Sequence, residues 1–178
     1  MKTIKILTGF LTIVILSVLY SCQDKQTQAE LSKFRQAEAI KAENIDLAKK
    51  FYKYLDQLNF DSLRVICDPG LKIFYESGEP VSLNDMEPFI KSFYGSFPDY
   101  KHEIEDINAS DDKVFVRIAY SGTHTNDYMN IKPTGLKFKY KGIQIFQFKN
   151  NKAINFWAVE DELGMMTQLG MELKPKKK

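Results

Sequence analysis

The fold of this chain is decided by the stretch Phe156-Trp157-Ala158-Val159-Glu160-Asp161-Glu162-Leu163-Gly164, which reads as the end of a β-strand followed by a closing segment. Side chains alternate between the two faces of a strand, so Asp161 shares a face with Trp157. Glu160 and Phe156 point to the opposite face. If the tryptophan face lines an enclosed hollow, desolvation raises the pKa of Asp161, as a general acid or base near neutral pH requires. We therefore predict Asp161 as the catalytic residue.

The chain ahead of this stretch predicts one strand after another. Every second residue from Val114 to Tyr120 is apolar, which indicates a strand with one buried face. In the next long strand Phe138 and Tyr140 alternate with lysines, but beyond Gly142 the apolar positions change parity. A one-residue shift at a glycine is typical of a β-bulge, so we predict a bulge and a sharp bend there. That bend should curl the sheet around a hollow, and the last strand should cover residues 152–160.

Three helices are predicted ahead of these strands. Asn44 can cap the first, the second covers residues 61–66, and the third begins after Asn84 or Asp85. Pro88 is expected in or near the first turn of that third helix, where its missing N–H is tolerated. Apolar side chains after the last strand are available to cover an opening of the sheet: Leu163, Met165, Met166 and Leu169. Helices first and strands later predict an α+β fold.

Several motifs along residues 44–170 follow one another in an order that resembles the SnoaL-like polyketide cyclases, a family of the NTF2-like superfamily. They are Phe97-Pro98-Asp99, Asp112-Lys113-Val114-Phe115-Val116-Arg117, Gly122-Thr123-His124-Thr125, Pro133-Thr134-Gly135, Gly142-Ile143-Gln144-Ile145-Phe146, Trp157 and Asp161-Glu162-Leu163-Gly164. The resemblance implies a cone, in which a strongly curved mixed or antiparallel sheet is wrapped by three N-terminal helices. Such a cone encloses an apolar cavity for a small molecule.

The resemblance also implies a chemistry. In those cyclases an acid of the last strand serves as general acid and base for an intramolecular aldol ring closure, without a metal or organic cofactor. Asp161 stands at that motif position, and its alternative role is an exposed aspartate that caps the following segment. His124, Trp157, Tyr120 and Tyr75 are the candidate substrate-binding residues. The alternatives are a loop histidine tied to the backbone for His124 and structural packing for the other three.

Three departures from the family pattern favour a second interpretation. Gln144 stands where relatives typically have aspartate, Gln147 where they have arginine, and Asn155-Phe156 where they have a Glu-His pair. A cavity that has lost these groups is less polar and suits holding a hydrophobic molecule. The alternative function is therefore a non-catalytic module that binds a small hydrophobic ligand or another protein. Relatives often dimerise through the sheet, so the resemblance makes a homodimer through the sheet one candidate assembly and leaves the oligomeric state open.

Residues 1–21 read as an export signal, because Lys2 and Lys5 precede an apolar run that is too short to span a membrane. Cys22 follows a small residue where such a signal would be cut, and this resembles a bacterial lipobox. The domain organisation predicted is a lipoprotein signal peptide at 1–21, a polar spacer at 22–43, the domain at 44–173 and a basic tail at 174–178. Lipid on Cys22 would tether the protein to a membrane of the bacterial cell envelope; the alternative is an uncleaved N-terminal anchor.

Composition narrows the remaining classes of function. Removal of the signal takes away two lysines and no acids, which leaves 23 basic against 23 acidic residues. A chain without net positive charge is not expected to bind nucleic acid. With Cys22 acylated, Cys67 is the only other thiol, so no internal disulfide is expected. His102 and His124 lie outside any metal-ligand spacing, and we predict no metal site.

Overall fold

The computed structural model describes residues 2–75, 78–172 and 174, and it describes side chains from residue 24 onward. The side chains of the predicted signal peptide and of Cys22 therefore lie outside the described part of the chain, as do residues 175–178 of the predicted tail. Within the part that is described, no helix is both long and apolar enough to cross a membrane.

The chain divides into two compact units, residues 1–40 and residues 41–178. The first unit is helical from Lys2, and its side chains from 24 to 40 are exposed to solvent. The second unit contains all the strands. The elements in chain order are α1 (Lys2–Asp56), α2 (Phe60–Ile66), β1 (Cys67–Phe74), α3 (Leu83–Ser96), β2 (Lys101–Ser110), β3 (Lys113–Thr123), β4 (Lys137–Lys149), β5 (Lys152–Glu160) and α4 (Glu162–Gln168).

The five strands form one curved, open sheet with the order β1-β5-β4-β3-β2. Strand β1 runs parallel to β5, whereas the other three pairings are antiparallel. The predicted α+β class, with a curved mixed sheet and three helices ahead of most strands, is confirmed. The last strand covers the predicted residues 152–160.

Helix α1 is continuous from Lys2 to Asp56, so the prediction that Asn44 caps the first helix is wrong: Asn44 lies inside α1 and is buried.

The other two helices also begin earlier than the sequence indicated. Asn59, and not Asp61, caps α2 by accepting a hydrogen bond from the backbone N–H of Ser62 at 3.0 Å. Ser82 caps α3 in a capping box with Asp85, so Asp85 lies in the first turn of that helix. Pro88 lies inside α3 and beyond its first turn. In each case the cap is a short polar side chain just ahead of the residue that we had taken as the start.

The predicted bulge at Gly142 is wrong, because β4 pairs continuously with β3 through that residue and pairs regularly with β5 from that residue onward to Gln147. The irregularity in the β4–β5 pairing falls between Gln147 and Phe148. Strand β4 keeps one parity along its length: alternate residues from Phe138 to Phe148 are buried, and Ile143 is 57% exposed on the other face. In the sequence, the apolar positions change from even to odd numbers after Gly142 because the buried position 144 carries glutamine and the exposed position 143 carries isoleucine.

Gly142 has a different structural role, which is to let two strands and a tyrosine approach closely. A Cβ atom at this position would lie 2.9 Å from the carbonyl oxygen of Val159 and 3.1 Å from Tyr120 Oη. Real Cβ atoms do not come that near a backbone oxygen, so only glycine fits without a shift. Gly142 therefore makes room for the polar groups of Glu160 and Tyr120 on the buried face of the sheet.

The buried face of the sheet, which we call the inner face, packs against the helices through aromatic rings. The ring of Phe51 in α1 lies 5.1 Å from that of Phe146 in β4 and stacks on Phe156 of β5 at 5.5 Å. Leu63 of α2 is fully buried in the same core. Cys67 is a buried free thiol. These contacts fix the inner face of β5, and with it the side chain of Glu160.

Candidate functional site

A cavity of about 120 Å³ lies on the inner face of the sheet, between β1, β4 and β5 and the helices α1, α3 and α4. Its walls are mainly aromatic and aliphatic side chains, including Phe156 of β5 and Met165 and Met166 of α4. The predicted covering role therefore holds for these two methionines. An apolar cavity of roughly 150 Å³ can hold one benzene ring, so this cavity suits a ligand of similar size.

Glu160 brings a carboxyl group to this cavity from the end of β5. The side chain is half-buried, and its Oε1 accepts hydrogen bonds from Tyr120 Oη at 2.9 Å and from Gln144 Nε2 at 2.7 Å. Burial raises the pKa of Glu160 above the ordinary value for glutamate, while these two hydrogen bonds and the neighbouring His102 limit the rise. A carboxyl group with a raised pKa in an apolar cavity is suited to proton transfer near neutral pH.

Gln144 fixes the orientation of this carboxyl group. The glutamine is 3% exposed, and its Oε1 accepts a hydrogen bond from Tyr52 Oη at 2.7 Å. Its Nε2 therefore faces the carboxyl group and also donates to Tyr120 Oη at 2.7 Å. The neutral side chain noted at position 144 is therefore part of the site, where its amide contacts both Tyr52 and Glu160. An aspartate here would place a second carboxylate against Glu160 and strongly disfavour ionisation of the pair.

A second polar group lines the cavity at His102 of β2. Its Nδ1 lies 2.5 Å from Asp56 Oδ1, and its backbone N–H donates to Asp56 Oδ2 at 3.4 Å. Tyr94 Oη also donates to Asp56 Oδ1, at 2.8 Å. Only 6% of the histidine side chain is exposed. The aspartate therefore holds both the ring and the backbone of His102.

Asp161 does not face the cavity, and that expectation is corrected. Its side chain is exposed and caps α4, with Oδ1 accepting a hydrogen bond from the N–H of Gly164 at 2.8 Å. This is the capping role that we considered as the alternative. The alternation along β5 was correct, so Asp161 does share a face with Trp157. That face is the outer one, and neither residue is among the described side chains that line the cavity.

Trp157 belongs to this outer face of the sheet. Its ring stacks on Phe74 of β1 at 5.4 Å between centroids, and Lys113 Nζ lies 5.8 Å from the ring centre. The expected place of Trp157 in a pocket is therefore also wrong. Both faces of β5 are rich in apolar side chains, and the largest of them lies on the outside.

The other three predicted binding residues have different positions. His124 is fully buried in the loop after β3, its Nδ1 lies 3.1 Å from Thr134 Oγ1, and its carbonyl oxygen accepts the N–H of Gly135. It is not among the described side chains that line the cavity, and it is a loop histidine as the alternative had it, although its imidazole contacts the Thr134 hydroxyl and not the backbone. Tyr120 lies behind Glu160 as its hydrogen-bond donor, and Tyr75 lines the cavity. Substrate binding by Tyr75 stays a prediction.

The sequence reasoning missed Glu160, Gln144, His102 and Asp56 as members of the site. A signal for Glu160 was present, because it is the one acid on the face that also carries Phe156 and Ala158. For His102 and Asp56 there was none, since 46 residues separate them and only the fold brings them together.

Replacement of Asp161 by alanine should lower the free energy of unfolding by about 1 kcal/mol, because the N-cap of α4 is lost. Replacement by serine, which can also cap a helix, should retain most of the stability. Urea denaturation monitored by circular dichroism measures both variants. Equal stability of the alanine variant and the wild type would contradict the capping role.

The comparisons with known proteins agree with this fold. The family model described as SnoaL-like polyketide cyclase matches residues 45–169. AclR of Streptomyces galilaeus superposes with a TM-score of 0.66 at 24% identity, over 72% of this chain and 96% of that protein. IdmH of Streptomyces antibioticus superposes with a TM-score of 0.66 at 22% identity, over 72% of this chain and 99% of that protein. A SnoaL-like polyketide cyclase of Agrobacterium tumefaciens superposes with a TM-score of 0.59 at 20% identity, over 70% of this chain and 96% of that protein. Likeness at these identities shows the fold alone, and no curated protein matches the chain.

Proposed function

Because the chain belongs to the SnoaL-like polyketide cyclase family, we propose that it performs acid/base chemistry on a small carbonyl compound, with Glu160 as the group that takes up the proton. The observation that carries this proposal is the half-buried carboxyl group of Glu160, with its raised pKa, in the wall of an apolar cavity. Glu160 thereby takes the catalytic role that the sequence assigned to its neighbour Asp161.

The proposed reaction begins with removal of a proton from the carbon next to a carbonyl group. The Glu160 carboxylate accepts this proton, the electron pair of the C–H bond forms a C=C bond, and the carbonyl oxygen takes up the displaced π electrons. In an aldol-type ring closure the enolate carbon then attacks a second carbonyl of the same molecule. The new alkoxide receives its proton from Glu160, so the carboxylate is regenerated.

The size of the cavity limits the substrate of this reaction. A volume of about 120 Å³ is comparable to the space taken by one ring. The walls are mainly apolar, and Glu160 and His102 are among the polar groups that line them. We therefore expect a ligand with about one ring, whose carbonyl group and adjacent carbon lie against these two side chains.

Deuterium exchange provides a test that does not require the natural substrate. The full-length protein is incubated in D₂O with cyclohexanone and its alkyl derivatives, and loss of the α-proton signal is followed by NMR. Protein-dependent exchange supports the proposal. Binding of these ketones without exchange favours the second candidate, a non-catalytic binding module, to which the apolar walls are also suited.

We further propose that a second copy of the chain covers the outer face of the sheet. Four side chains pair across four strands of this face: Phe115, Ile145, Trp157 and Phe74. Beside them Ile143 and Val159 form another cross-strand pair, 57% and 60% exposed. A contiguous apolar patch of this kind is typical of a protein interface, and two-fold symmetry would pair the patch with itself.

Replacement of Val159 by lysine should convert the dimer into a monomer, because two-fold symmetry would bring the new positive charges of the two copies into the same interface. Light scattering coupled to gel filtration measures the mass of each species. The matched control is replacement of Leu163 by lysine. Leu163 lies on α4 and is 52% exposed, and this variant should leave the dimer intact. A monomeric wild-type protein at micromolar concentration would contradict the proposed assembly.

A further inference from the structure

We infer that His102 is the second catalytic residue of the cavity: its imidazolium donates the Nε2 proton to the carbonyl oxygen of the ligand while Glu160 takes the carbon-bound proton, and Asp56 is its positioning residue. This inference rests on the proposed function and specifies it further. It requires a ligand whose carbonyl oxygen and acidic carbon face His102 and Glu160, respectively.

The orientation of the imidazole carries the first step of the argument. Asp56 engages Nδ1 at 2.5 Å, so the ring cannot turn without breaking this contact, and the backbone N–H of His102, which donates to Asp56 Oδ2 at 3.4 Å, keeps the carboxylate beside the ring. Tyr94 Oη donates to the same Asp56 oxygen at 2.8 Å and fixes the carboxylate. With Nδ1 occupied, Nε2 is the ring nitrogen available to a ligand in the cavity that His102 lines.

The two ring nitrogens carry the second step. An imidazolium donates from both nitrogens, so with Nδ1 directed at Asp56 its Nε2–H is the donor that can reach a ligand. Asp56 therefore supplies what a proton donor at His102 needs: a fixed ring and an acceptor for Nδ1–H. The positive charge of the imidazolium also favours the ionised form of Glu160, the form that accepts a proton.

The surroundings of His102 contain further titratable groups, from every element packed against it. They are Asp56 and Tyr52 of α1, Tyr94 of α3, Tyr100 ahead of β2, Tyr120 of β3 and Glu160 of β5. Burial raises the pKa of the buried tyrosines, so these remain neutral across the working pH range. Among these groups Glu160, whose pKa burial raises, sets the rise of the exchange rate with pH.

The resulting step is balanced. Glu160 removes the α-proton, the C–H electron pair becomes the C=C bond, and the carbonyl π pair moves to oxygen, which takes the Nε2 proton. The product is a neutral enol, with Glu160 protonated and His102 neutral. Return of the two protons completes the exchange, and no other reactant is consumed. A neutral enol is much more stable than an enolate in an apolar cavity, which explains why a proton donor is needed on the oxygen side.

The first test uses 4-nitrophenol, whose phenolate resembles an enolate in its planar ring and anionic oxygen. Wild-type protein should bind the probe with a larger phenolate fraction, read from its visible absorbance, than the probe shows in buffer at the same pH. Replacement of His102 by glutamine should remove this increase and lower ketone exchange by at least about 100-fold. An unchanged phenolate fraction and an unchanged exchange rate in H102Q would overturn the inference.

The second test uses Asp56→Asn, which removes the carboxylate that holds Nδ1. In D56N the phenolate fraction of the bound 4-nitrophenol should fall toward its value in buffer, because the imidazole is no longer held against the oxygen of the probe, while the affinity for the ketone should stay unchanged. A purely structural role of Asp56 would leave the phenolate fraction of the bound probe unchanged. An unchanged fraction would therefore overturn the inference even if H102Q fails to fold.

These tests are distinguishable from failure of the proposed function. Absence of exchange in the wild type contradicts the role of Glu160, whereas the phenolate measurement requires no proton transfer by Glu160. In E160Q the phenolate fraction should stay at least as high as in the wild type, because a negative charge has been removed from the cavity. Loss of the phenolate increase in E160Q would contradict the assignment of the oxygen contact to His102.

Discussion

Replacement of Glu160 by glutamine is expected to lower ketone exchange by about 100-fold to 10,000-fold, the range typical of a lost general base. The amide cannot accept the α-proton, although it has the size of the carboxyl group and can still accept the hydrogen bond from Tyr120. Binding of the ketone should change little, since the cavity walls are untouched. Exchange rates and ketone affinities of E160Q and wild type, both measured by NMR, test this expectation.

The pH dependence of the wild-type rate gives an independent readout of Glu160. The base must be ionised, so the rate should rise with pH through the pKa of Glu160, which burial places above the ordinary value of 4.5 for glutamate. A rise centred at or below that value would contradict the assignment. The control variant is Asp161→Asn, because Asp161 lies on the outer face and its loss should leave exchange unchanged.

Loss of activity in E160Q should not result from unfolding. A carboxyl group whose pKa is raised on folding adds stability below its pKa in the unfolded chain, and this contribution is lost as pH rises through the raised value. At neutral pH the folded protein therefore bears the cost of a buried charge. E160Q removes that charge, so its unfolding free energy at pH 7 should match or exceed that of the wild type.

The layout of the fold could be predicted from the sequence because it depends on short-range patterns. The last strand at 152–160 and the alternation of Phe156 and Trp157 were both correct. The choice of face was wrong because apolar side chains occupy both faces of β5, so burial could not be inferred from hydrophobicity. The tryptophan, the largest of these side chains, lies on the outer face.

The polar part of the site was less predictable for a related reason. Gln144 is buried because Tyr52 and Glu160 satisfy its amide, and these partners come from distant parts of the chain. A single polar residue at an inner position therefore looked like a shift of register. The pair of His102 and Asp56 likewise depends on the packing of α1 against β2, which no local pattern reports. Only the coordinates connect these groups with the cavity.

Replacement of Gly142 by alanine should destabilise the protein by about 1 to 3 kcal/mol, the usual cost of overpacking a core. An ordinary Gly→Ala change within a strand or helix stabilises by about 0.5 to 1 kcal/mol, because the unfolded chain loses conformational freedom. At Gly142 the new Cβ would lie 2.9 Å from the backbone oxygen of Val159, and a backbone atom in a paired strand cannot move aside cheaply. The clash should therefore outweigh the gain.

The same variant should also impair proton transfer, because its new methyl group would lie 3.1 Å from Tyr120 Oη and from Glu160 Cγ. Any shift that relieves the contact with Val159 moves the end of β5 and the carboxyl group with it. Gly95→Ala is the matched control: Gly95 lies in α3, nothing stands within 4 Å of its added Cβ, and alanine there should stabilise the protein. Urea denaturation and ketone exchange measure both variants. If G142A were as stable and as active as the wild type, close approach at Gly142 could not be what holds Glu160 against Tyr120.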